Sequence, residues 1–139
     1  MLKVLVVDDD DGLLFVMGEY LESHGFQFGL ANNASRARDL LANETYDVIF
    51  SDLEMPGGSG FDLLRFVSGR YPEIVFIMMS GCVDSGIKGK ALRMGAHKFL
   101  EKPFRFSDLI QILTSNTLAG RLPPPPIATI RNEGPSLPA

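Results

Sequence analysis

Apolar residues along the chain alternate between two spacings. Val4 to Val7 is a short, unbroken apolar run rich in β-branched residues, which predicts a strand. Leu14, Met17 and Leu21 then recur at helical spacing, with Gly25 as the stop. Phe26 to Leu30 is a weaker strand, and Asn33 to Asn43 a helix with Ala37, Leu40 and Leu41 turned inward. Val48, Ile49 and Phe50 form a third strand, and Gly57 to Gly60 a loop. Phe61 to Ser68 is helical through Phe61, Leu64 and Val67. Ile74 to Met79 is continuously apolar, as a parallel strand covered on both faces must be. Val83 to Met94 predicts a fourth helix, closed by Gly95. Phe99 and Leu100 make a short fifth strand, and Ser107 is placed to cap a last helix carrying Leu109, Ile110, Ile112 and Leu113.

Strands that alternate with helices need crossover connections, so the sheet is expected to be parallel with helices on both faces. Such sheets bind ligands beyond the carboxyl ends of their strands. The pattern stops before Gly120. Residues 120–139 hold Pro123 to Pro126, Pro135 and Pro138 without apolar periodicity, which predicts a polyproline II stretch or flexible tail after a domain over residues 1–119.

Composition narrows the class. A chain of 139 residues that is 45% hydrophobic suits one globular domain with its own core. The net charge of -4 gives no general attraction to nucleic acid or anionic lipid, and neither is expected as a partner of this domain. Cys82 is the one cysteine, so no internal disulfide can form. Neither a leader pattern nor an apolar run of membrane-spanning length is present, and a cytoplasmic location is expected.

The chemistry sits where the strands end. The first strand runs into Asp8, Asp9, Asp10 and Asp11, the third into Asp52, the fourth into Ser80 and the fifth into Lys102 and Pro103. If the first and third strands are neighbours, their carboxylates converge. Two unit charges about 4 Å apart repel by on the order of 4 kcal/mol at an effective dielectric of about 20. A hard divalent cation with oxygen ligands offsets that repulsion, and Lys102 adds a fixed positive charge. Acid cluster, hydroxyl and lysine together suit a phosphoryl group. Taken alone, Asp8 to Asp11 would serve equally well as a helix cap, and Asp10 and Asp11 are expected to do so. Met78 and Met79 read as core, and His24 and His97 carry no assigned chemistry.

Val6 to Asp10, Asp52 with Met55-Pro56-Gly57, Ser80-Gly81, and Glu101 to Phe104 resemble the motifs of the CheY-like receiver domain of two-component response regulators. The resemblance covers about residues 2 to 118. It implies a flavodoxin-like five-stranded parallel sheet of strand order 2-1-3-4-5. It implies Asp52 as phosphoacceptor, with Asp8, Asp9, Asp52 and the backbone carbonyl of Glu54 holding Mg2+. Ser80 and Lys102 would bind phosphoryl oxygens, and the Lys102-Pro103 bond would be cis. Ser80 and Phe99 would switch the surface of the fourth helix, fifth strand and fifth helix toward an output domain or downstream protein. The phosphoryl donor would be a sensor histidine kinase or phosphotransfer protein, and no enzymatic activity beyond phosphorylation and dephosphorylation of Asp52 is implied. The chain departs from the family in having Ser80 for a common threonine, Gly81 for alanine and Phe99 for tyrosine.

Three other readings compete. A haloacid-type aspartyl phosphatase wants a second aspartate two residues after the first, where this chain has Glu54, and normally a cap domain. A flavin carrier of similar fold wants a hydroxyl- and glycine-rich loop where four aspartates stand. A pseudo-receiver that never takes phosphate would not need the full set of site residues.

Overall fold

The structure, a computed structural model, describes residues 2–55, 59–82 and 84–114. The proline run and the rest of residues 115–139 lie outside them, as do Pro56, Gly57, Gly58 and Val83. Ten elements alternate: β1 (Lys3–Val7), α1 (Asp11–Ser23), β2 (Gln27–Ala31), α2 (Ala34–Asn43), β3 (Val48–Asp52), α3 (Gly60–Arg70), β4 (Val75–Ser80), α4 (Ser85–Arg93), β5 (Lys98–Glu101) and α5 (Phe106–Leu113). All strand pairs are parallel, in the order β2-β1-β3-β4-β5. The expected fold class and strand order are therefore found.

The two-residue period of the strands divides the core. Leu5, Val7, Ile49, Phe76 and Met78 face one cluster, which receives Ala37 and Leu41 of α2, Leu63, Leu64 and Val67 of α3, and Ala91 of α4. Val4, Val6, Val48, Phe50, Ile77 and Met79 face the other, filled by Leu14, Met17 and Leu21 of α1 and Leu109, Ile112 and Leu113 of α5. Burial on both faces explains why β1, β3 and β4 are nearly all apolar. It also fixes their register, since a slip of one residue would exchange the two faces.

The helix ends follow from local chemistry, with some differences from expectation. Asp10 caps α1 by accepting from the Leu13 amide at 3.1 Å, while Asp11 is the first helical residue rather than a cap. Asn33 caps α2 through the Arg36 amide. Asp84 is the cap of α4, so that helix begins at Ser85. Gly25 and Gly95 both have positive φ, as expected of helix-stopping glycines. Ser107 does not cap α5. That helix starts at Phe106, and the Asp108 carboxylate reaches back to the Arg105 amide at 3.1 Å. Among the described residues, no helix is long and apolar enough to cross a membrane.

Gly60 belongs to α3 rather than to a loop. Its amide donates to the Leu53 carbonyl at 2.6 Å, pressing the start of α3 against the end of β3. A Cβ there would lie 2.5 Å from the Asp52 carbonyl oxygen and 2.8 Å from Leu53 Cα. Both are backbone atoms and cannot turn aside. Gly60→Ala is expected to cost about 1 to 3 kcal/mol, measured by urea unfolding. Gly81→Ala, whose Cβ would meet nothing within 4 Å, should stay within about 0.5 kcal/mol of the parent.

Candidate functional site: an acidic crevice at the strand ends

β1 and β3 are adjacent, so Asp8 and Asp9 open beside Asp52. One carboxylate oxygen from each of Asp8, Asp9 and Asp52 lies within 4.8 Å of the others. Asp8 is fully buried, Asp52 is 6% exposed, and Asp9 faces solvent. Lys102 reaches into this crevice from the end of β5. Its Nζ is 2.6 Å from Asp8 Oδ2 and 3.3 Å from Asp52 Oδ1. The other oxygen of Asp8 accepts from the Asp10 amide at 3.0 Å. Asp8 is thus held at both oxygens, and Asp52 is gripped more loosely.

Backbone hydrogen bonds brace the crevice. The Asp8 amide donates to Ala31, Leu53 to Met79, and Lys102 to Ser80, each linking neighbouring strands at their ends. The Lys102-Pro103 bond is cis, as the resemblance implies. Ser80 is fully buried, and its Oγ accepts from the Cys82 amide at 2.9 Å. That bond uses a lone pair, so the hydroxyl proton remains available for an incoming acceptor. Glu54 stands exposed on the loop after β3, and its side chain is not one of the clustered carboxylates. Phe99 pairs with Met78 in the sheet and packs, half-buried, against the cluster that includes Ala91 of α4.

Burial pushes the Asp52 carboxyl above its ordinary value of 3.8. The charge of Asp8 pushes it the same way, Lys102 pulls it back, and Asp9 adds a smaller upward push. Lys102 is drawn down by burial, but its hydrogen bond to Asp8 and the charges of Asp52 and Asp8 outweigh this. Its net direction is above 10.5. One cation therefore faces three carboxylates, two of them buried. Such an oxygen-rich, under-neutralised set suits a hard divalent ion.

Two features escape a reading of the sequence. Leu13, Pro103, Phe104 and Phe106 line an apolar pocket whose rim includes Lys102 and Asp10. Its residues come from α1 and its cap, from the stretch joining β5 to α5 and from the start of α5, and no single motif marks them all. His97 clamps the start of β5: its amide donates to the Phe76 carbonyl at 2.8 Å, and its Nδ1 accepts from the Phe76 amide at 3.2 Å. Without the pairing of β4 and β5, nothing in the sequence ties these residues together.

Comparison with known proteins bears on what this crevice is for. Residues 4–114 match the family model described as the response regulator receiver domain. The response regulator FleR of Pseudomonas aeruginosa is 35% identical over 87% of this chain and 25% of its own length. The DNA-binding transcriptional regulator NtrC of Escherichia coli is 32% identical over 79% of this chain and 24% of its own. The chain thus spans about a quarter of the length of these curated relatives. Among solved structures, a receiver domain from Clostridium thermocellum superposes with a TM-score of 0.77 at 30% identity, covering 86% of this chain and 96% of that one. A CheY-like receiver domain from Methanospirillum hungatei gives 0.80 at 25%, covering 84% and 94%.

The raised carboxyl of Asp52 has a stability consequence. Its folded value lies above the unfolded one, so ionisation weighs against the fold. The penalty is absent well below pH 3.8, accrues as pH rises to the folded value, and is constant above it. Asp52→Asn should therefore unfold at higher denaturant than the parent at pH 7 in a metal chelator. The difference should fade as pH falls below about 4.

Proposed function

The chain belongs to the response regulator receiver domain family, and on that premise we propose that Asp52 is its phosphoacceptor. The observation that carries this reading is the meeting of Asp52 with Lys102 at 3.3 Å inside a ring of two further carboxylates. An Asp52 oxygen attacks the phosphorus of a phosphohistidine or of acetyl phosphate. The P–N or P–O bond breaks, and the imidazole or acetate leaves with the electron pair. Lys102 then exchanges its grip on the Asp52 carboxylate for a phosphoryl oxygen, and Ser80 donates its free proton to another. Asp8, Asp9, Asp52 and the Glu54 backbone carbonyl would hold Mg2+, which supplies charge neutralisation for carboxylates and phosphoryl oxygens. The family match removes support from the phosphatase reading, which also wants an aspartate where Glu54 stands, and from the flavin reading, which wants a hydroxyl- and glycine-rich loop where four aspartates follow β1.

The donor is a sensor histidine kinase or phosphotransfer protein, approaching over the apolar pocket beside Lys102. The chain is self-modifying rather than an enzyme acting on an external substrate. Residues 120–139 serve as a tail or linker. In a longer protein they would lead to an output domain, which reads the surface made by α4, β5 and α5.

Ser80 and Phe99 transmit the change. As Ser80 moves toward the phosphoryl group, Phe99 turns into the space released. α4 suits the moving part because Gly86 and Gly89 lie inside it, each costing about 1 kcal/mol of helix propensity relative to alanine. A phosphoryl group brings about 1.5 to 2 negative charges. Each charge-assisted hydrogen bond it gains contributes about 1.5 to 3 kcal/mol. That is enough to move an equilibrium between states a few kcal/mol apart.

With acetyl phosphate and magnesium, intact mass should rise by one phosphoryl group, about 80 Da. The rise should be abolished in Asp52→Asn and slowed in Asp9→Asn. Undiminished labelling of Asp52→Asn would remove the assignment. A second measurement concerns the switch. Beryllofluoride should alter amide hydrogen exchange mainly between Ser80 and Phe104. A Cβ at Gly89 would meet Arg93 Nη1 at 3.0 Å, the end of a flexible side chain that can turn away. Gly89→Ala should therefore slow exchange in α4 without beryllofluoride and shrink the response to it.

A further inference from the structure

Among the described residues, the large hydrophobic side chains that stand exposed are Phe15 at 66%, Val16 at 45% and Leu92 at 43%. Phe15 and Val16 lie on α1, and Leu92 on α4. None takes part in the phosphoryl chemistry. Isolated exposed apolar residues are ordinary, but these have opposite electrostatic settings. From Asp9 to Phe26 the chain has Asp9, Asp10, Asp11, Glu19 and Glu22 and no lysine or arginine. From Ser85 to Leu100 it has Lys88, Lys90, Arg93 and Lys98 and no aspartate or glutamate.

Helical periodicity gathers these residues into patches. On α1, Asp11, Phe15, Val16, Glu19 and Glu22 turn away from the buried Leu14, Met17 and Leu21. On α4, Lys88, Leu92 and Arg93 turn away from the buried Ala91. Glu19, Glu22, Lys88, Arg93 and Lys98 make no ion pair among the described residues. One patch is apolar with an acidic rim, and the other is apolar with a basic rim. They sit on opposite faces of the sheet, since α1 packs on one core cluster and α4 on the other.

We propose that α4 of one copy docks on α1 of a second copy, with Leu92 against Phe15 and Val16, and Lys88 and Arg93 against Glu19 and Glu22. Charge complementarity favours this occupant over the alternatives. The tail, residues 120–139, carries Arg121 and Arg131 against Glu133, so its charge does not match α4. A nucleic acid would answer the lysines but leave Leu92 uncovered. Because the two patches occupy opposite faces, the contact is heterologous. Each copy offers α1 to one neighbour and α4 to the next, so association runs head to tail. It is driven largely by exposed charges and so weakens with salt.

The test is sedimentation equilibrium of the full chain from about 10 μM to about 1 mM, where mass action reveals weak self-association. Average mass should climb with concentration at about 0.05 M salt and return to the monomer at about 0.5 M. Lys88→Glu with Arg93→Glu should remain monomeric, as should Glu19→Lys with Glu22→Lys. Mixed in equal amounts, these two double variants should associate again, because the acidic α1 of one meets the basic α4 of the other and the two reversed patches are complementary as well. A constant monomer mass in the parent, association that survives both reversals, or a mixture that stays monomeric would each overturn the proposal. Should a reversed variant fail to fold, Phe15→Ser and Leu92→Ser must each weaken association by about tenfold. Mass gain from acetyl phosphate is measured in parallel on every variant and should be unchanged. It reports on Asp52 separately from the contact between copies.

Discussion

Lys102 Nζ sits 2.6 Å from Asp8 and 3.3 Å from Asp52, and the parallel sheet delivers all three side chains to that point. Neither carboxylate would be tolerated so deeply without it, because a buried charge needs a partner. Yet one ammonium cannot balance three carboxylates. The residual negative charge is built in by topology, since β1 and β3 are hydrogen-bonded neighbours and each ends in aspartate. The two apolar clusters supply the rigidity that keeps these groups together. The crevice is a place of stored repulsion held by well-packed surroundings, and it favours whatever brings positive charge.

Much of this was legible in the residues. β1, β3 and β4 are buried on both faces, so their composition is nearly uniform and their positions stand out. Asp8, Asp9, Asp52 and Ser80 could be located because each closes or follows such a run, and Lys102 because it stands before Pro103 just after the short fifth strand. The edges were less legible. β2 fully buries only Ala31 and β5 no residue, so their apolar patterns are weaker, although boundaries shift by a residue or two in the interior strands as well. The Gly60 assignment to a loop failed because glycine is ordinarily a helix breaker. Here it is chosen by the approach of the β3 backbone, which only three dimensions reveal. Ser107 looked like a cap because serine commonly is one. Asp108 does the work from inside the helix, reaching back to the amide of Arg105.

Capping and charge also divide labour within the run of four aspartates. Asp8 is locked between Lys102 and the Asp10 amide, Asp9 is free at the rim, Asp10 caps α1, and Asp11 opens its first turn. Four identical residues therefore do four different jobs, decided by where the strand stops and the helix begins. Composition alone would have called them one solvated stretch.

β5 is fastened at both ends. His97 holds its start to Phe76 through two hydrogen bonds, and the Lys102 amide holds its finish to Ser80. Between these fixings stand Phe99 and Leu100, with side chains only partly covered. A strand so tethered does not slide; what is left to it is rotation about side-chain bonds. Rotamer changes of partly exposed residues take picoseconds to nanoseconds, whereas shifting a whole element takes microseconds or longer. Under the proposed switch, the interval between an event at Ser80 and its arrival at the outer edge of the sheet is set by α4, whose shift as a whole element is slower than side-chain rotation in β5.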